Sequence, residues 1–583
     1  MGKITIKINN REYSMEKGIT ILAASFETQK LAQEYRQHAI PTLYYLKGIM
    51  DIDESGVCVV EVDGKVVNAS TTRIKEGMEI LTNTEAVIAA RKEALAKILA
   101  QHNKSCLHCM RSGSCELQNL LQEYGFTNEP ELSKEDLEEL DFSSKVLVRD
   151  NNKCIKCKRC INVCAKMQAV SAIAATGTGL DTVIAPSSPA GLAAASCVNC
   201  GQCVAVCPVG ALTEKDQTEE VKKALADPEK YVVVQVAPAV RAALGEAFEF
   251  PIGVDVEGRI AEALRRAGFD KVFDTKFAAD LTIMEESHEL IERITNDGVL
   301  PMITSCCPGW IKYAEHFYPD MLDNISTCKS PQQMQGAVIK SYIAEKEGIQ
   351  KENIVVVSIM PCTAKKFEIT REDEAGAGVP DVDISITTNE LAKLLKGMEI
   401  QLEAMSPNAK FDDPLGQGTG AAVIFGTTGG VMEAALRTAV EKISGKEVEK
   451  LEYTEVRGMN GIKEAAVDVN GTTIKVAVAS GLANANALLT KVKSGEADYQ
   501  FIEIMACPGG CVNGGGQPHQ PAAVHALTDV VAERAAALYR NDENSKIRKS
   551  HENPAIIELY DAYLGKPGSE KAHELLHTTY KVR

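Results

Sequence analysis

The 18 cysteines of this 583-residue chain are the residues best suited to chemistry, because most of them lie in tightly spaced runs. Two runs share the spacing Cys-x2-Cys-x2-Cys-x3-Cys. Such paired runs hold two 4Fe-4S clusters, with three thiolates of a run on one cluster and the fourth on the other. This predicts one cluster on Cys154, Cys157, Cys160 and Cys207, and a second on Cys197, Cys200, Cys203 and Cys164. A pair of zinc sites is the alternative, but such sites usually use two Cys-x2-Cys knuckles.

A third group combines one imidazole with three thiols, at His102, Cys106, Cys109 and Cys115. These donors can close a tetrahedral zinc site or hold a third 4Fe-4S cluster, and the residues alone leave both open. The position just before the two predicted clusters favours iron, because a third cluster would lengthen a path for electrons. His108 is the competing imidazole, and we expect it to be exposed.

Three stretches in the second half of the chain carry the remaining chemistry: 304–310 (TSCCPGW), 360–368 (MPCTAKKFE) and 503–517 (EIMACPGGCVNGGGQ). Together they resemble the three signature loops of iron-only (FeFe) hydrogenases, and the resemblance covers nearly the whole chain. It implies an enzyme that interconverts H2 with protons and electrons at an H-cluster. That cofactor joins a 4Fe-4S cluster to a two-iron subsite with carbon monoxide, cyanide and azadithiolate, and it is bound rather than made by the protein.

The resemblance also assigns roles to individual residues. It implies that Cys307, Cys362, Cys507 and Cys511 hold the H-cluster's own 4Fe-4S part, and that Cys511 bridges to the two-iron subsite. Lys365 would donate a hydrogen bond to a cyanide ligand, as a compact point charge can. The residues implied to surround the subsite are Met360, Met505, Gln332 and the wall Ala237-Pro238. For the third cysteine group, the resemblance selects iron and His102. We expect the glycines at 514–516 to allow close backbone approach to the cofactor.

A proton path is implied as well. Cys306 matches the family's relay thiol, a group that can donate and accept protons near neutrality. The path continues through Glu286, Ser326 and Glu289, and the two glutamates lie one helical turn apart. Without the resemblance, Glu285-Glu286 would be interpreted as a solvated acidic helix face. We expect Cys328, near Ser326, to be a buried small residue rather than a ligand.

The N-terminal segment departs from the family pattern. Many members hold a 2Fe-2S cluster there on four cysteines, whereas this chain places Tyr44, Ser55 and Ser70 at three of those positions and retains Cys58. One thiolate cannot hold such a cluster. The sequence therefore predicts no 2Fe-2S cluster and a β-grasp domain kept as structure or docking surface. This would make the chain similar to cytoplasmic clostridial and acetogen hydrogenases that lack the cluster, including the hydrogenase subunit of a hydrogen-dependent CO2 reductase.

Three other functions are alternatives. The first is an iron–sulfur assembly protein without the two-iron subsite, which would need neither Cys306 nor Lys365. The second is a hydrogen sensor, a class that usually alters the relay cysteine and adds a signalling domain. The third is electron transfer to a nicotinamide, because residues 1–224 also resemble part of a respiratory NADH dehydrogenase subunit. No GxGxxG follows a strand and no flavin site is visible, so nicotinamide chemistry would belong to another subunit.

Apolar patterning indicates the elements that must position these residues. Strands are predicted at Lys3–Ile8 and Val57–Val62 from alternation. Buried strands at 231–237 and 354–360 alternate with helical stretches such as Ile260–Ala267, which is typical of parallel sheets. We predict a multidomain α/β and α+β protein with four domains: a β-grasp domain at 1–80, a His/Cys3 cluster domain at 81–142, a two-cluster ferredoxin domain at 143–224, and an H-cluster domain at 225–583. The last would have two parallel-sheet lobes and a C-terminal tail that resembles a hydrogenase small subunit.

Net charge and hydropathy limit the classes of partner that the chain can have. The formal net charge of −17 argues against nucleic acid. The start lacks an apolar signal segment and no stretch is long and apolar enough to span a bilayer, so we expect a cytoplasmic protein without membrane contact. The implied partners are H2, protons, maturation proteins and a ferredoxin or ferredoxin-like iron–sulfur subunit, with a formate dehydrogenase complex as one setting. The positive charges of Lys153, Lys156, Lys158 and Arg159 either offset the anionic clusters or form a docking patch for that subunit.

Overall fold

The computed structural model describes residues 2–32, 40–126, 137–178, 182–447 and 451–583. Within its described residues, the N-terminal domain has five strands and one helix: β1 (Lys3–Ile8), β2 (Arg11–Glu16), α1 (Ile21–Ala32), β3 (Val59–Val62), β4 (Lys65–Asn68) and β5 (Glu79–Leu81). Their order in the sheet is β2-β1-β5-β3-β4. Strands β1 and β5 pair in parallel and the other neighbours are antiparallel, which confirms the predicted β-grasp arrangement. Alternate residues of β1, such as Ile6 and Ile8, face the core.

Two helices frame the third cysteine group: α2 (Glu85–Leu99) and α3 (Glu116–Glu123). The hydroxyl of Thr84 accepts a hydrogen bond from the backbone N–H of Val87 at 3.3 Å and so starts α2. The guanidinium of Arg91 on α2 donates to the hydroxyl of Tyr124 at 2.9 Å, which ties the end of α3 to α2. The loop that bears His102 to Cys115 is therefore held at both ends.

The helices and strands described in the next domain are short: β6 (Leu147–Arg149), α4 (Arg159–Asn162), β7 (Ile173–Thr176), β8 (Val183–Pro186), α5 (Gln202–Ala205) and β9 (Leu212–Glu214). Strand β6 pairs with β9, and β7 with β8. Its two cysteine runs have the same backbone geometry. In the first run, Lys156 and Lys158 have φ of 59° and 64°, and at the matching positions of the second run Asn199 and Gly201 have φ of 59° and 70°. Left-handed residues between the cysteines turn the chain so that successive thiols point inward.

The remaining helices and strands form the largest domain: α6 (Thr218–Ala226), β10 (Tyr231–Val236), α7 (Glu257–Ala267), β11 (Lys271–Asp274), α8 (Lys276–Thr295), β12 (Met302–Ile303), α9 (Pro308–Phe317), α10 (Pro331–Val338), α11 (Ala344–Glu347), β13 (Ile354–Met360), α12 (Ala364–Glu368), β14 (Ile384–Thr387), α13 (Thr388–Gly397), α14 (Gly420–Val423), α15 (Gly430–Ser444), β15 (Ile462–Val469), β16 (Thr472–Ser480), α16 (Leu482–Ser494), β17 (Phe501–Met505), α17 (Ala522–Leu527), α18 (Val530–Glu543), α19 (Pro554–Leu559) and α20 (Glu570–Leu576).

Two four-stranded sheets organise this domain. The first has the order β11-β10-β13-β14 and is parallel throughout. The second has the order β12-β17-β16-β15, in which only β15 runs antiparallel to its neighbour. Because β10 and β13 are covered on both faces, they are almost wholly apolar and buried. The two predicted parallel-sheet lobes are thus confirmed, with one antiparallel edge strand added to the second.

The C-terminal tail pairs with residues 326–329. The backbone N–H of Lys329 donates to the carbonyl of Leu576, and that of Thr578 donates to the carbonyl of Thr327, each at 2.8 Å. The hydroxyl of Tyr580 donates to the carbonyl of Ser326 at 3.0 Å. The tail therefore covers the segment that precedes α10. No helix in the described ranges combines the length and apolarity that a bilayer crossing requires.

Candidate active site

The predicted H-cluster loops surround one enclosed cavity between the two sheets. The loops follow the carboxyl ends of β10, β12, β13 and β17, where ligands of parallel α/β sheets usually bind. The cavity is lined mainly by apolar groups. Every predicted cofactor residue of this domain lines it: Ala237, Pro238, Cys307, Gln332, Met360, Cys362, Lys365, Met505, Cys507 and Cys511, together with Cys306.

Four of the five thiols that line this cavity are the predicted cluster ligands. Cys307 begins α9, Cys362 follows β13, and Cys507 and Cys511 lie in the turn after β17. Burial, followed by the charge of neighbouring Cys307, raises the pKa of Cys362 to about 12. Burial likewise raises the pKa of Cys507, and Cys362, Cys200, Cys307 and Cys511 add to the effect. Thiolates held this close in an apolar site need bound cations to balance their charge.

The donor set and the walls fit the cofactor that the resemblance implies. Cys307, Cys362, Cys507 and Cys511 supply four soft sulfur donors, which is the ligand number of a 4Fe-4S cluster. The backbone N–H of Ala506 donates to Sγ of Cys307 at 3.3 Å, a hydrogen bond of the kind that stabilises a sulfur carrying negative charge. The rest of the lining is mainly apolar, so the cavity favours a compact and largely desolvated group.

A buried polar network lies at one side of the cavity. Nζ of Lys365 donates to both oxygens of Glu368, at 3.0 and 3.1 Å, and to the carbonyl of Cys306 at 3.1 Å. The amide of Gln332 and the hydroxyl of Ser330 each donate to Glu368 at 2.8 Å. Burial opposes the charge on Lys365, but Glu368 outweighs it and raises the lysine pKa.

Glu368 was not singled out from the sequence. Its signal was the i, i+3 spacing from Lys365 on one short helix, where opposite charges can meet. That spacing is too common on helix surfaces to be specific, so only the tertiary position reveals the role of this carboxylate in orienting the lysine.

Cys306 and Glu286 lie beside this network, both out of contact with bulk water. Burial raises the pKa of Cys306 well above its ordinary range, and Glu286 is the next largest cause, so the two groups are neighbours. Burial, then the charges of Glu289 and Glu503, raise the pKa of Glu286 from 4.5 to about 8. Neither oxygen of Glu286 has a hydrogen-bond partner of normal geometry among the described residues. A carboxyl group with this pKa is mainly protonated at pH 7.

Ser326 and Glu289 lie further out. The hydroxyl of Ser326 donates to Oε2 of Glu289 at 2.7 Å, and the guanidinium of Arg293 donates to Oε1 at 2.6 Å. The Glu289 side chain is 14% exposed, which makes it the member of this set closest to water. Glu285 is buried and bonded to Tyr560. The alternative of a solvated acidic face at Glu285-Glu286 is therefore wrong.

The His/Cys3 residues converge next to the two-run domain. Nδ1 of His102 hydrogen bonds with the carbonyl of Lys153 at 3.0 Å, which leaves Nε2 for a ligand. Burial lowers the pKa of His102 to about 4, so the imidazole is neutral. A Cβ added to Gly210 would lie 2.4 Å from Sγ of Cys109, which shows how closely the two domains approach. His108 is exposed, as predicted.

The two four-cysteine runs lie between this group and the cavity. The charge of Cys207 helps to raise the pKa of Cys115, so Cys207 lies near the His/Cys3 group. The charge of Cys160, in the first run, helps to raise the pKa of Cys203, in the second run, so the two runs also lie close to each other. Cys200 in turn raises the pKa of Cys507 in the cavity. The thiols form a continuous series from the His/Cys3 group to the cavity.

Glycines make the closest of these approaches possible. A Cβ on Gly515 would lie 2.5 Å from Cα of Gly201 and 2.6 Å from the carbonyl oxygen of Cys200. A Cβ on Gly514 would lie 2.1 Å from the carbonyl oxygen of Pro361. The approach that the structure records at these glycines is thus to protein backbone, and it brings the second cysteine run against the cavity wall.

In the N-terminal domain, a buried carboxylate organises the loop that carries Tyr44. Oδ2 of Asp53 accepts hydrogen bonds from the backbone N–H groups of Leu43, Tyr44 and Tyr45 at 2.7, 2.9 and 3.2 Å. The backbone N–H of Asp53 donates to the hydroxyl of Ser70, and Oδ1 accepts from Ser55. The hydroxyl of Tyr44 donates to the carbonyl of Ile155 at 2.6 Å.

Family models match in five parts of the chain. Residues 230–515 match the iron-only hydrogenase large subunit, C-terminal domain, and residues 528–583 match the iron hydrogenase small subunit. Residues 153–211 match a 4Fe-4S dicluster domain. Residues 91–130 match the NADH-ubiquinone oxidoreductase-G iron–sulfur binding region. Residues 2–85 match a 2Fe-2S iron–sulfur cluster binding domain.

Known proteins are similar over the full length. The chain is 47% identical to "NADP-reducing hydrogenase subunit HndD" of Solidesulfovibrio fructosivorans over 596 residues, which covers 100% of both chains. It is 43% identical to "Iron hydrogenase 1" of Clostridium pasteurianum over 580 residues, covering 99% of this chain and 100% of that one. A solved structure of the apo form of the FeFe hydrogenase HydA1 from Chlamydomonas reinhardtii, a point variant, has 47% identity and a TM-score of 0.55, covering 62% of this chain and 98% of that chain.

Two predictions are corrected by these matches. The assignment to hydrogenases without the N-terminal cluster, and with it to the CO2 reductase type, is wrong, because residues 2–85 match the 2Fe-2S cluster binding domain and the similarity to HndD and to the Clostridium enzyme spans the whole chain. The exclusion of 2Fe-2S from the cofactors is wrong for the same reason. That prediction counted thiols at single positions, whereas domain membership is carried by the pattern of the entire β-grasp segment.

The predicted fold class and enzyme class are confirmed. The fold class and the multidomain order agree with the four iron–sulfur and hydrogenase models. The enzyme class agrees with the large-subunit model and with the full-length relatives. With its signature loops around one cavity, this chain therefore belongs to the iron-only (FeFe) hydrogenase family and is an FeFe hydrogenase with an H-cluster and accessory iron–sulfur clusters.

Proposed function

We propose that the chain catalyses the reversible reaction H2 = 2 H⁺ + 2 e⁻ in the cavity between its two sheets. The observation that carries the proposal is the convergence of Cys307, Cys362, Cys507 and Cys511 on one apolar space beside Cys306 and Lys365. We assign the four thiolates to the 4Fe-4S part of the H-cluster and Cys511 to the bridge with the two-iron subsite. When bound, that cofactor supplies the iron-centred redox chemistry that splits or forms H2.

The walls orient the cofactor and exclude water. Met360 and Met505 are 3% and 2% exposed and contribute flexible apolar contacts. Gln332 is held by Ser358, whose hydroxyl donates to it at 2.7 Å, so its amide keeps a fixed direction. We propose that Lys365, oriented by Glu368, presents its ammonium group to a cyanide ligand. Ala237 and Pro238 would supply the opposite wall.

The proton path is proposed to run through Cys306, Glu286, Ser326 and Glu289. A raised pKa near 8 lets Glu286 take a proton from the thiol side and release it outward without a large energetic penalty in either direction. Oε2 of Glu289 already accepts the Ser326 hydroxyl at 2.7 Å. Partial exposure lets Glu289 exchange protons with water.

Electrons are proposed to leave through the cysteine runs. The first centre from the cavity would be held by Cys197, Cys200, Cys203 and Cys164, and the next by Cys154, Cys157, Cys160 and Cys207, followed by the His102, Cys106, Cys109 and Cys115 group. The support is the series of neighbouring thiols described above. We propose domain boundaries after residues 80, 142 and 224, which give each set of centres its own unit.

The acceptor is proposed to be an iron–sulfur protein or subunit that docks at the cleft between α2 and the first run. Lys156 and Lys158 line this cleft, next to Cys154 and Cys157. Arg159 does not contribute, because it is buried and paired with Glu116 at 2.6 Å. The name of the HndD relative supports an assembly in which a further subunit reduces NADP.

The 18 free thiols favour a reducing compartment, and we propose the cytoplasm.

Infrared spectroscopy tests the central assignment. Protein produced with the maturation proteins should show iron-bound carbonyl and cyanide bands, and protein produced without them should not. Cys307→Ala should lose these bands, whereas Cys306→Ala should retain them. Active enzyme without the bands would contradict the proposal.

The docking assignment has a separate test. Lys156→Glu with Lys158→Glu should slow H2 oxidation with the native partner, because charge reversal removes electrostatic steering, and should leave turnover with a small dye unchanged. Lys97→Glu, which reverses another charge on the same cleft, is the matched control for a general effect of the charge of the cleft. Equal effects with partner and dye would rule out docking at the two lysines.

A further inference from the structure

We propose that Glu289, Cys328 and His577 form a binding site for a single divalent cation of the zinc class, and that the bound cation blocks proton transfer. The binding site itself stands on its own geometry. The block rests on the proposed function, because it requires Glu289 to be the outer residue of the proton path.

Three separate elements bring the donors together. Glu289 lies on α8, Cys328 precedes α10, and His577 ends α20. Cys328 and His577 face each other in an isolated antiparallel β-bridge. The ligand atoms of the three residues all lie within 4.8 Å of one another. The C-terminal tail is thus required to complete the site.

The distances suit zinc. Sγ of Cys328 is 3.7 Å from Oε2 of Glu289. A tetrahedral zinc ion with bonds of about 2.3 Å to sulfur and about 2.1 Å to oxygen would place these two atoms about 3.6 Å apart. These two ligands therefore need no backbone movement, and the imidazole need only turn toward them.

The donor chemistry and the charge select the ion. One sulfur, one nitrogen and one oxygen donor suit zinc, whereas Mg²⁺ and Ca²⁺ prefer oxygen alone. The carboxylates of Glu289 and Glu285 lie near the Cys328 thiol, while Arg293 is the cation that contacts Glu289 in the described part of the chain. The surplus of negative charge favours a divalent ion, and water can fill a fourth position.

Existing contacts explain why binding would stop proton transfer. Oε2 of Glu289 is the atom that accepts the Ser326 hydroxyl in the proposed path. A cation on that oxygen would lower its affinity for a proton. His577 now hydrogen bonds with Thr327 at 2.8 Å and with Glu285 at 3.2 Å, so it is poised between partners and can exchange one of them for the ion.

The test uses matured holoenzyme titrated with ZnCl2 under anaerobic conditions. Zinc X-ray absorption should show one ion with sulfur, nitrogen and oxygen ligands, and H2 evolution should fall as the site fills, with the iron content unchanged. Cys328→Ala and His577→Gln should each keep the basal turnover and weaken zinc inhibition by at least about tenfold. MgCl2 at equal concentration should have no effect.

A second cluster provides the matched control. Glu441, His551 and Glu552 also lie within ligand reach of one another but include no thiol, and His551→Gln should leave zinc inhibition unchanged. Absence of a zinc–sulfur signal, or equal inhibition of wild type and Cys328→Ala, would overturn the site and leave the proposed function intact. Zinc–sulfur binding with undiminished turnover would overturn the block and, with it, the place of Glu289 in the proton path.

Discussion

Replacing Glu286 with glutamine should produce an enzyme that is more stable but nearly inactive. The side chain is fully buried, and its two oxygens have no partner of normal geometry among the described residues. Glutamine has almost the same shape and no charge in either the folded or the unfolded state. It therefore removes the proton-transfer group together with the cost of burying an acid.

The size of the stability effect follows from the pKa shift. The folded pKa is about 8 against an ordinary 4.5, so between these values the folded protein binds a proton that the unfolded chain releases. Stability of the wild type thus falls as pH rises through this window, by about 1.4 kcal/mol for each pH unit. Relative to wild type, the free energy of unfolding of Glu286→Gln should rise by about 1 kcal/mol at pH 5 and about 3 kcal/mol at pH 7.

Activity should move in the opposite direction. Loss of a positioned acid–base group typically lowers turnover by about 10²- to 10⁴-fold, and an amide cannot relay a proton. H2 evolution by matured protein measures this effect, while the infrared bands of the cofactor report whether the H-cluster is retained. Thermal unfolding of the same samples between pH 5 and pH 8 measures the stability difference.

Infrared difference spectra give a direct check of the titration. The carboxylic acid band of Glu286 should disappear with a midpoint near pH 8 in wild type and should be missing in the glutamine variant. A midpoint near 4.5, or a stability difference that does not change with pH, would refute the argument from burial. Near-normal turnover in the variant would refute the relay role.

Three further predictions follow from the site. Cys306→Ala should retain the carbonyl and cyanide bands but lose H2 turnover by about 10²-fold or more, because alanine carries no proton; near-normal rates would contradict the relay. Glu368→Gln should lower the free energy of unfolding by about 3 kcal/mol, because it leaves the Lys365 ammonium buried without its carboxylate. The cyanide bands of the matured protein should also shift, and unchanged stability and bands would show that the pair is not needed. Gly515→Ala should slow dye reduction while H/D exchange at the H-cluster persists. The new Cβ would lie 2.6 Å from the carbonyl oxygen of Cys200 and would displace the second cysteine run, and with it the path of the electrons, from the cavity. Equal loss of both activities would point to damage at the cavity instead.

The sequence alone determined the chemistry of this protein. Thiols at fixed spacing limit what a segment can bind, because the reach of a few residues sets which sulfur atoms can share one cluster. Strand patterns were equally local, and β1 and β13 appear at Lys3–Ile8 and Ile354–Met360, as predicted. The N-terminal domain was the exception, because thiol counting at four positions overrode the pattern of the whole segment that matches the 2Fe-2S family.

The tertiary structure decided which charges are buried and with what partner. Arg159 has the sequence context of a surface charge, yet it is 1% exposed and bonded to Glu116, which lies 43 residues away along the chain. Glu286 has the sequence context of an acidic helix face, yet packing raises its pKa to about 8. Both outcomes depend on desolvation by distant segments, and a charge's environment is a sum over neighbours that sequence order does not specify.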